Sequence, residues 1–166
     1  MQSIEWRPIP GFEGIYDISE FGDVLRITRS ATSRPGPIKH AVHPKNGYHR
    51  VDLRKDGKYH FTLIHRAVAM AFIGEPTGPV VRHLDGNPGN NHHSNLAYGT
   101  YSENSFDTVR HGRNKEALKT HCKHGHPFDA ANTGTRPDRP GSRVCLTCQR
   151  NHSAEQRLLK KKGRTA

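Results

Sequence analysis

The sequence predicts an α+β protein of modular build: a β-rich part over residues 1–64, a strand, loop, strand and helix unit over 65–112, and a small cysteine- and histidine-bearing module over 113–166. Three observations carry that expectation. Hydrophobic content of 32% and a mean hydropathy of −0.85 over 166 residues are too low for one large core and favour several small ones. Glycines 11, 14 and 22 cut the opening into short apolar pieces, around Ile15, Ile18 and Val24 to Ile27, as strands joined by turns require. The segment HCKHGHPFDAANTGTRPDRPGSRVCLTCQR has almost no apolar core of its own but carries paired Cys and His.

Charge narrows the partner class. With 26 Lys and Arg against 15 Asp and Glu, the chain has a formal net charge of +11 and a pI near 10.0. Basic side chains along a polyanion release its condensed counterions, so nucleic acid is the leading partner. No run is long and apolar enough to span a bilayer, and MQSIEWRPIP lacks the apolar centre of a signal peptide, so no membrane association and a cytoplasmic location are expected. Three cysteines, two of them in one C-x2-C pair, suit metal binding better than a disulfide framework.

In chain order, the Ser, Arg and Pro of 28–37 predict an exposed connection. Next, 48–53 and 58–64 alternate across Asp56-Gly57, which predicts a hairpin with a tight turn. Val51, Leu53, Phe61 and Leu63 are expected on one side, and His49, Arg50, Arg54, Lys55, Lys58 and His60 on the other, where Arg50, Arg54 and Lys55 are candidate phosphate contacts. Ile64, Val68, Ala71 and Phe72 are spaced for a short amphipathic helix, which Gly74 and Pro76 end. His65 at its start suits either a bond to a backbone carbonyl or a phosphate contact.

The stretch 80–111, VVRHLDGNPGNNHHSNLAYGTYSENSFDTVRH, carries the chemistry. Val80 and Val81 predict a short strand that delivers Arg82 and His83 to its end. The DGNPGNN that follows is built of residues tolerant of tight turns. A second strand is expected near Leu96 to Tyr98. Thr100 and Glu103 then form a capping box that starts a helix at about Tyr101, and Gly112 stops it. Asn104, Asp107 and His111 are spaced to share one face of that helix.

His83, Asn95 and Asn104 stand where the HNH motif of ββα-metal nucleases places its signature residues. Together with W-x-x-I-x-G-x-E-G-x-Y near the N-terminus, GYHRVDL, HRAVAMAF and VVRHLDGNPGNNHHSNL, the chain from about residue 5 to 112 resembles the phage-encoded HNH homing endonucleases. The resemblance implies an HNH ββα-metal core in which His83 is the general base, Asn95 holds the loop and Asn104 binds a divalent ion, Mg2+ or Mn2+. A cytoplasmic site of action would then be a phage-infected or host bacterial cell.

Those residue types suit phosphodiester hydrolysis. A neutral imidazole accepts a water proton near neutral pH, and amide oxygens are ligands for hard cations. Asn95 cannot act as a base, so bridging backbone groups and aiming His83 is its expected task. Many relatives carry Asp or His directly before the base, where this chain has Arg82, which cannot coordinate a cation. The missing ligand is then expected from Asp85, Asp107 or His111, or from phosphate and water. Arg82 itself is a candidate to hold the scissile phosphate and to favour neutral His83.

In the last module, Cys122 and His126 form C-x3-H, and Cys145 and Cys148 form C-x2-C. The four suit a tetrahedral structural Zn2+ that replaces a core, with His121 and His124 as rival ligands. The spacing C-x-x-G-H resembles zinc modules appended to phage HNH proteins, which favours His126. A basic tail with Lys160, Lys161 and Lys162 is expected to add phosphate affinity, as a short helix or as a disordered segment.

The expectation is a metal-dependent endodeoxyribonuclease of phage-encoded homing type acting on double-stranded DNA, monomeric by default with a dimer as the alternative. Alternatives are a phage nuclease of genome packaging or host-DNA degradation, and a catalytically inactive DNA-binding zinc protein.

Overall fold

The computed structural model describes residues 3–30, 32–136 and 138–162, with side chains described except at positions 140, 141 and 162. The chain divides into two compact units, 1–113 and 114–166.

The first unit opens with an antiparallel four-stranded sheet in the order β1 (Trp6–Pro8), β2 (Tyr16–Ser19), β3 (Val24–Arg26) and β4 (Gly36–Ile38). The edge strand β4 falls at the end of the stretch expected to be an exposed connection. An edge accommodates Pro37 because its missing N–H need not face a neighbour. A second antiparallel sheet follows, β5 (Ala41–Val42), β6 (His49–Lys55) and β7 (Lys58–Leu63). Helix α1 (Ile64–Val68) continues into a wider five-residue turn over Ala69–Ile73, closed by the Gly74 N–H on the Ala69 carbonyl.

The β6–β7 turn uses Asp56 at φ 50° and Gly57 at φ 76°, the pair of positive values that a two-residue primed turn needs. It pairs Lys55 with Lys58, and therefore Val51 with Thr62 and Leu53 with His60. This register corrects the expected faces. Odd positions of β6 share a side with even positions of β7, so Phe61 and Leu63 lie opposite Val51 and Leu53. Arg50 and Arg54 lie on the outer face with Tyr59 and Phe61, each guanidinium over a ring, at 5.2 Å for Arg50–Phe61 and 5.7 Å for Arg54–Tyr59. Lys55 is on the inner side, where its Nζ donates to the Gly11 carbonyl at 2.6 Å.

Ile18, Val24, Val51, Leu53, Ile64, Val68 and Leu96 form one apolar cluster that draws on both sheets, α1 and the strands beyond it. The core therefore runs across position 64. Each piece offers only two or three apolar residues on one side, too few to bury alone, so the pieces pool them in place of the several small cores expected here. Tyr16 fastens the two sheets: its hydroxyl accepts from the Arg54 N–H at 3.1 Å and from the Arg26 guanidinium at 2.6 Å.

Strands β8 (Val80–His83) and β9 (Leu96–Gly99) pair antiparallel, and α2 (Tyr101–Arg110) follows at once. The capping box is present, with the Thr100 hydroxyl accepting from the Glu103 N–H and the Glu103 carboxylate accepting from the Thr100 N–H. The second unit contains α3 (Lys115–Leu118), the hairpin β10 (Thr133–Arg136) and β11 (Arg139–Cys145), and α4 (Leu146–Lys162). Helix α4 is longer than expected because it starts at Leu146, between Cys145 at the end of β11 and Cys148, instead of after the pair. No helix of the described residues is long and apolar enough to cross a membrane.

Candidate active site and metal cluster

Strand β8 brings His83 to its end with only 8% of its surface exposed. His83, Asn104 and Asp107 line one open cleft of about 210 Å3, together with Asn46, Tyr48 and Arg113. Burial holds the His83 imidazole below its ordinary pKa; a bond to Asn91 and the negative charge of Asp85 oppose it, and the charges of Arg113 and His49 act with it. That bond joins His83 Nε2 to Asn91 Oδ1 at 3.4 Å, and Asn91 Nδ2 donates to the Gly89 carbonyl.

Asn95 spans the loop between β8 and β9. Its Oδ1 accepts from the Asp85 N–H at 3.0 Å, and its Nδ2 donates to Asp85 Oδ1 at 3.0 Å and to the Asn90 carbonyl at 2.9 Å. Asp85 takes further donors from the Asn87 N–H and Asn90 Nδ2. Partial burial works against its ionised form, yet these donors outweigh it and hold the carboxyl below its usual range. The loop is thus closed on itself by Asp85 and Asn95.

Arg82 turns toward α2. Its Nε donates to Asp107 Oδ2 at 2.8 Å and its Nη1 lies 3.1 Å from Glu103, while Arg110 holds the other Asp107 oxygen at 2.9 Å. Two expectations need correction on this geometry. Asp107, 5% exposed, has both oxygens on guanidinium groups and is not a free metal donor. Arg82 is committed to carboxylates, and the cation acting on His83 is Arg113, which is exposed and lines the cleft. His111 caps α2 and packs against Gly86, whose φ of 73° and lack of a side chain permit the approach; a Cβ there would meet the His111 ring at 2.6 Å. Its Nε2 is buried without a partner.

Asn91, Tyr48 and His65 stand behind the base, a grouping that no motif signals. His65 is buried between Tyr48, at 4.9 Å between ring centres, and His83, at 5.2 Å, so it neither faces phosphate nor finds a partner for Nδ1. Burial, then the charges of His83 and Arg66, pull its pKa down to about 3. An unfolded chain protonates His65 below about pH 6.5 and the native protein does not, so stability present above that value is lost as pH falls toward 3. Denaturant unfolding between pH 6 and pH 4 is expected to lose up to about 1.4 kcal/mol per pH unit through this group, and His65→Gln to flatten the slope by about one proton. An unchanged slope in the variant would rule out a buried neutral His65.

In the second unit, Cys122, His126, Cys145 and Cys148 bring one donor atom each into a single cluster. The edges are 3.5 Å for Cys122–His126, 3.6 Å for Cys122–Cys148, 3.3 Å for His126–Cys148 and 3.6 Å for Cys145–His126. Bond lengths of about 2.0–2.3 Å at tetrahedral angles require edges of roughly 3.3–3.8 Å, so the four residues fit a tetrahedral ion. Backbone N–H groups of His124 and Cys148 point at Cys122 and Cys145, and Asn132, unforeseen in the sequence, donates to Cys145 at 3.3 Å. Burial alone would raise the Cys145 thiol, but the Cys148 N–H, the Asn132 amide and the neighbouring Cys148 and Cys122 thiols bring it to about 6, which favours the thiolate a metal needs. His124 supplies its backbone rather than its ring to the cluster.

Two antiparallel strands, a loop braced by Asn95 and a capped helix that sets Asn104 across from His83 define the ββα-metal class of nuclease core. Residues 62–106 match the HNH endonuclease family and residues 5–54 match the NUMOD4 motif. It is 40% identical over 110 residues to the DNA endonuclease I-HmuI of Bacillus phage SP01, covering 66% of this chain and 60% of that protein. An uncharacterized HNH endonuclease of Acanthamoeba polyphaga mimivirus is 32% identical over 113 residues, 67% of this chain and 32% of the relative. A solved structure concerned with DNA binding and cleavage by the HNH homing endonuclease I-HmuI superposes with a TM-score of 0.57 at 39% identity, over 66% of this chain and 60% of that one. The chain thus spans about 60% and 32% of the lengths of these two relatives.

Proposed function

We propose that the protein is a metal-dependent endodeoxyribonuclease of homing type that nicks double-stranded DNA, with His83 as general base. The observation that supports this most is a buried imidazole, kept neutral by its surroundings, opening into the same cleft as the Asn104 side chain. Asn91 Oδ1 faces Nε2, so the neutral tautomer carries its proton there and leaves Nδ1 as the acceptor of a water proton. Asn95 locks the loop that aims His83.

Asn104 would hold the divalent ion, Mg2+ or Mn2+, through its amide oxygen, a ligand type that suits a hard cation. The ion supplies charge stabilisation at the phosphate and leaving oxygen. Asp85 and His111 remain secondary candidates, since Asp85 is occupied by loop donors and His111 packs on Gly86. Arg113 takes the phosphate-holding role expected of Arg82. Arg50 and Arg54 offer guanidinium groups on the exposed hairpin face. Lys160 and Lys161 on α4 add phosphate affinity; the side chain of Lys162 lies outside the described residues. The Cys3His cluster holds a structural Zn2+. One active site per monomer suits nicking.

Supercoiled plasmid incubated with the protein is expected to relax to the open-circle form with Mg2+ or Mn2+ and to stay supercoiled with EDTA. A mobility shift without nicks in any metal would instead identify a DNA-binding zinc protein. Discrete cleavage ends on phage or host genomic DNA support the homing reading; scattered ends favour a packaging or degradative nuclease.

A further inference from the structure

We propose that Glu20, His92 and His93 form a second metal site, separate from the cleft and from the cysteine cluster, that takes a borderline dication such as Zn2+, Co2+ or Ni2+. The three donor atoms lie within 4.8 Å of one another. His92 Nε2 and His93 Nε2 converge on the same oxygen, Glu20 Oε2, at 3.5 and 3.8 Å. Both distances exceed a charge-assisted hydrogen bond, about 2.7–2.9 Å. They lie near the edges of roughly 3.3–3.4 Å that two nitrogens and an oxygen adopt around one ion at about 2.0–2.1 Å.

The surroundings orient each donor. Glu20 Oε1 accepts from the Glu5 N–H at 3.2 Å, which leaves Oε2 for the site. The other ring nitrogen of His92 is held at Ser94, 3.2 Å from the backbone N–H and 2.8 Å from the hydroxyl; ligation through Nε2 requires the ring proton on Nδ1, where the hydroxyl would accept it in place of the N–H contact. Phe21 lies 4.7 Å from the His92 ring and Phe72 stacks on His93 at 5.4 Å, so both imidazoles are backed by aromatic walls. The backbone is already joined, with the His93 N–H on the Glu20 carbonyl at 3.0 Å. Partial exposure of 20–36% leaves room for water as a fourth ligand. Two imidazoles and one carboxylate select a borderline metal over Mg2+.

The position gives the site a task. Glu20 belongs to the turn between β2 and β3, whereas His92 follows Asn91, which touches the base, and His93 lies two residues before Asn95. An ion here pins the N-terminal sheet to the loop that aims His83.

The test starts from full-length protein holding one Zn2+ per chain, titrated calorimetrically with Ni2+ in excess Mg2+ to occupy the cleft. About one equivalent of Ni2+ is expected, retained in Asn104→Ala and weakened at least tenfold in Glu20→Gln and in the double variant His92→Gln/His93→Gln. Absence of Ni2+ uptake, or equal uptake by all variants, overturns the proposal. X-ray absorption of the wild-type Ni2+ form needs no variant: imidazole and oxygen neighbours without sulfur support the site, and a sulfur shell or a single imidazole refutes it. Loss of nicking in His83→Ala with Ni2+ uptake intact keeps this site distinct from the cleavage reading.

Discussion

Replacing His83 with alanine is expected to lower metal-dependent nicking by about 10²–10⁴-fold, the usual contribution of a positioned general base. DNA affinity should change little, because phosphate contacts elsewhere supply most of it. The imidazole is 8% exposed and packs on His65, so the variant also loses core contacts; circular dichroism and thermal unfolding must first show a native fold. His83→Gln fills more of the volume and still cannot accept the water proton, so it should be equally inactive. In wild type the pH profile should rise at a value below that of an ordinary histidine, because burial favours the neutral form and protonation abolishes the base. Undiminished cutting by both variants would remove His83 from the mechanism.

The second large effect concerns the Cys3His cluster. Among the described residues of the second unit, Cys145 is the sole buried apolar side chain, so no apolar core stands in reserve. Structural zinc in such modules supplies roughly 10–16 kcal/mol of apparent binding free energy, which is then the folding free energy. His126→Ala and Cys148→Ser should each lose one equivalent of zinc and release 114–162 to rapid proteolysis, while residues 1–113 keep their own core. His124→Ala should retain the zinc, since that residue contributes a backbone N–H to Cys122. Zinc content unchanged in His126→Ala would move the ligand elsewhere. An undigested second unit after metal removal would deny the ion its structural role.

Local signals in the sequence reached far into this fold. The Asp56-Gly57 turn, the capping box at Thr100 and the paired cysteines are each written within a few residues, and each was readable from spacing alone. The faces of the hairpin differ from the expected ones because the turn's register, which pairs odd with even positions, outweighs the resemblance of two apolar pairs. Asn91, Tyr48 and His65 could not be foreseen as neighbours of His83, since their meeting depends on how the second sheet and α1 pack beneath β8. The same is true of Asn132 beside Cys145. Arg82 was legible as an anomaly, but its partners Glu103 and Asp107 lie on α2, and only the angle between strand and helix brings them together.

The Arg82 clasp has a consequence for the field that an approaching phosphodiester meets. Asp107 would place a negative charge in the cleft wall, almost wholly buried and poorly screened, and Glu103 a second one on the same helix. Arg82 and Arg110 cancel them pairwise within about 3 Å, so the group of four carries no net charge. Among the residues that line the cleft this leaves the positive charge of Arg113 for a polyanion to meet, with Asp85 as the opposing charge at His83.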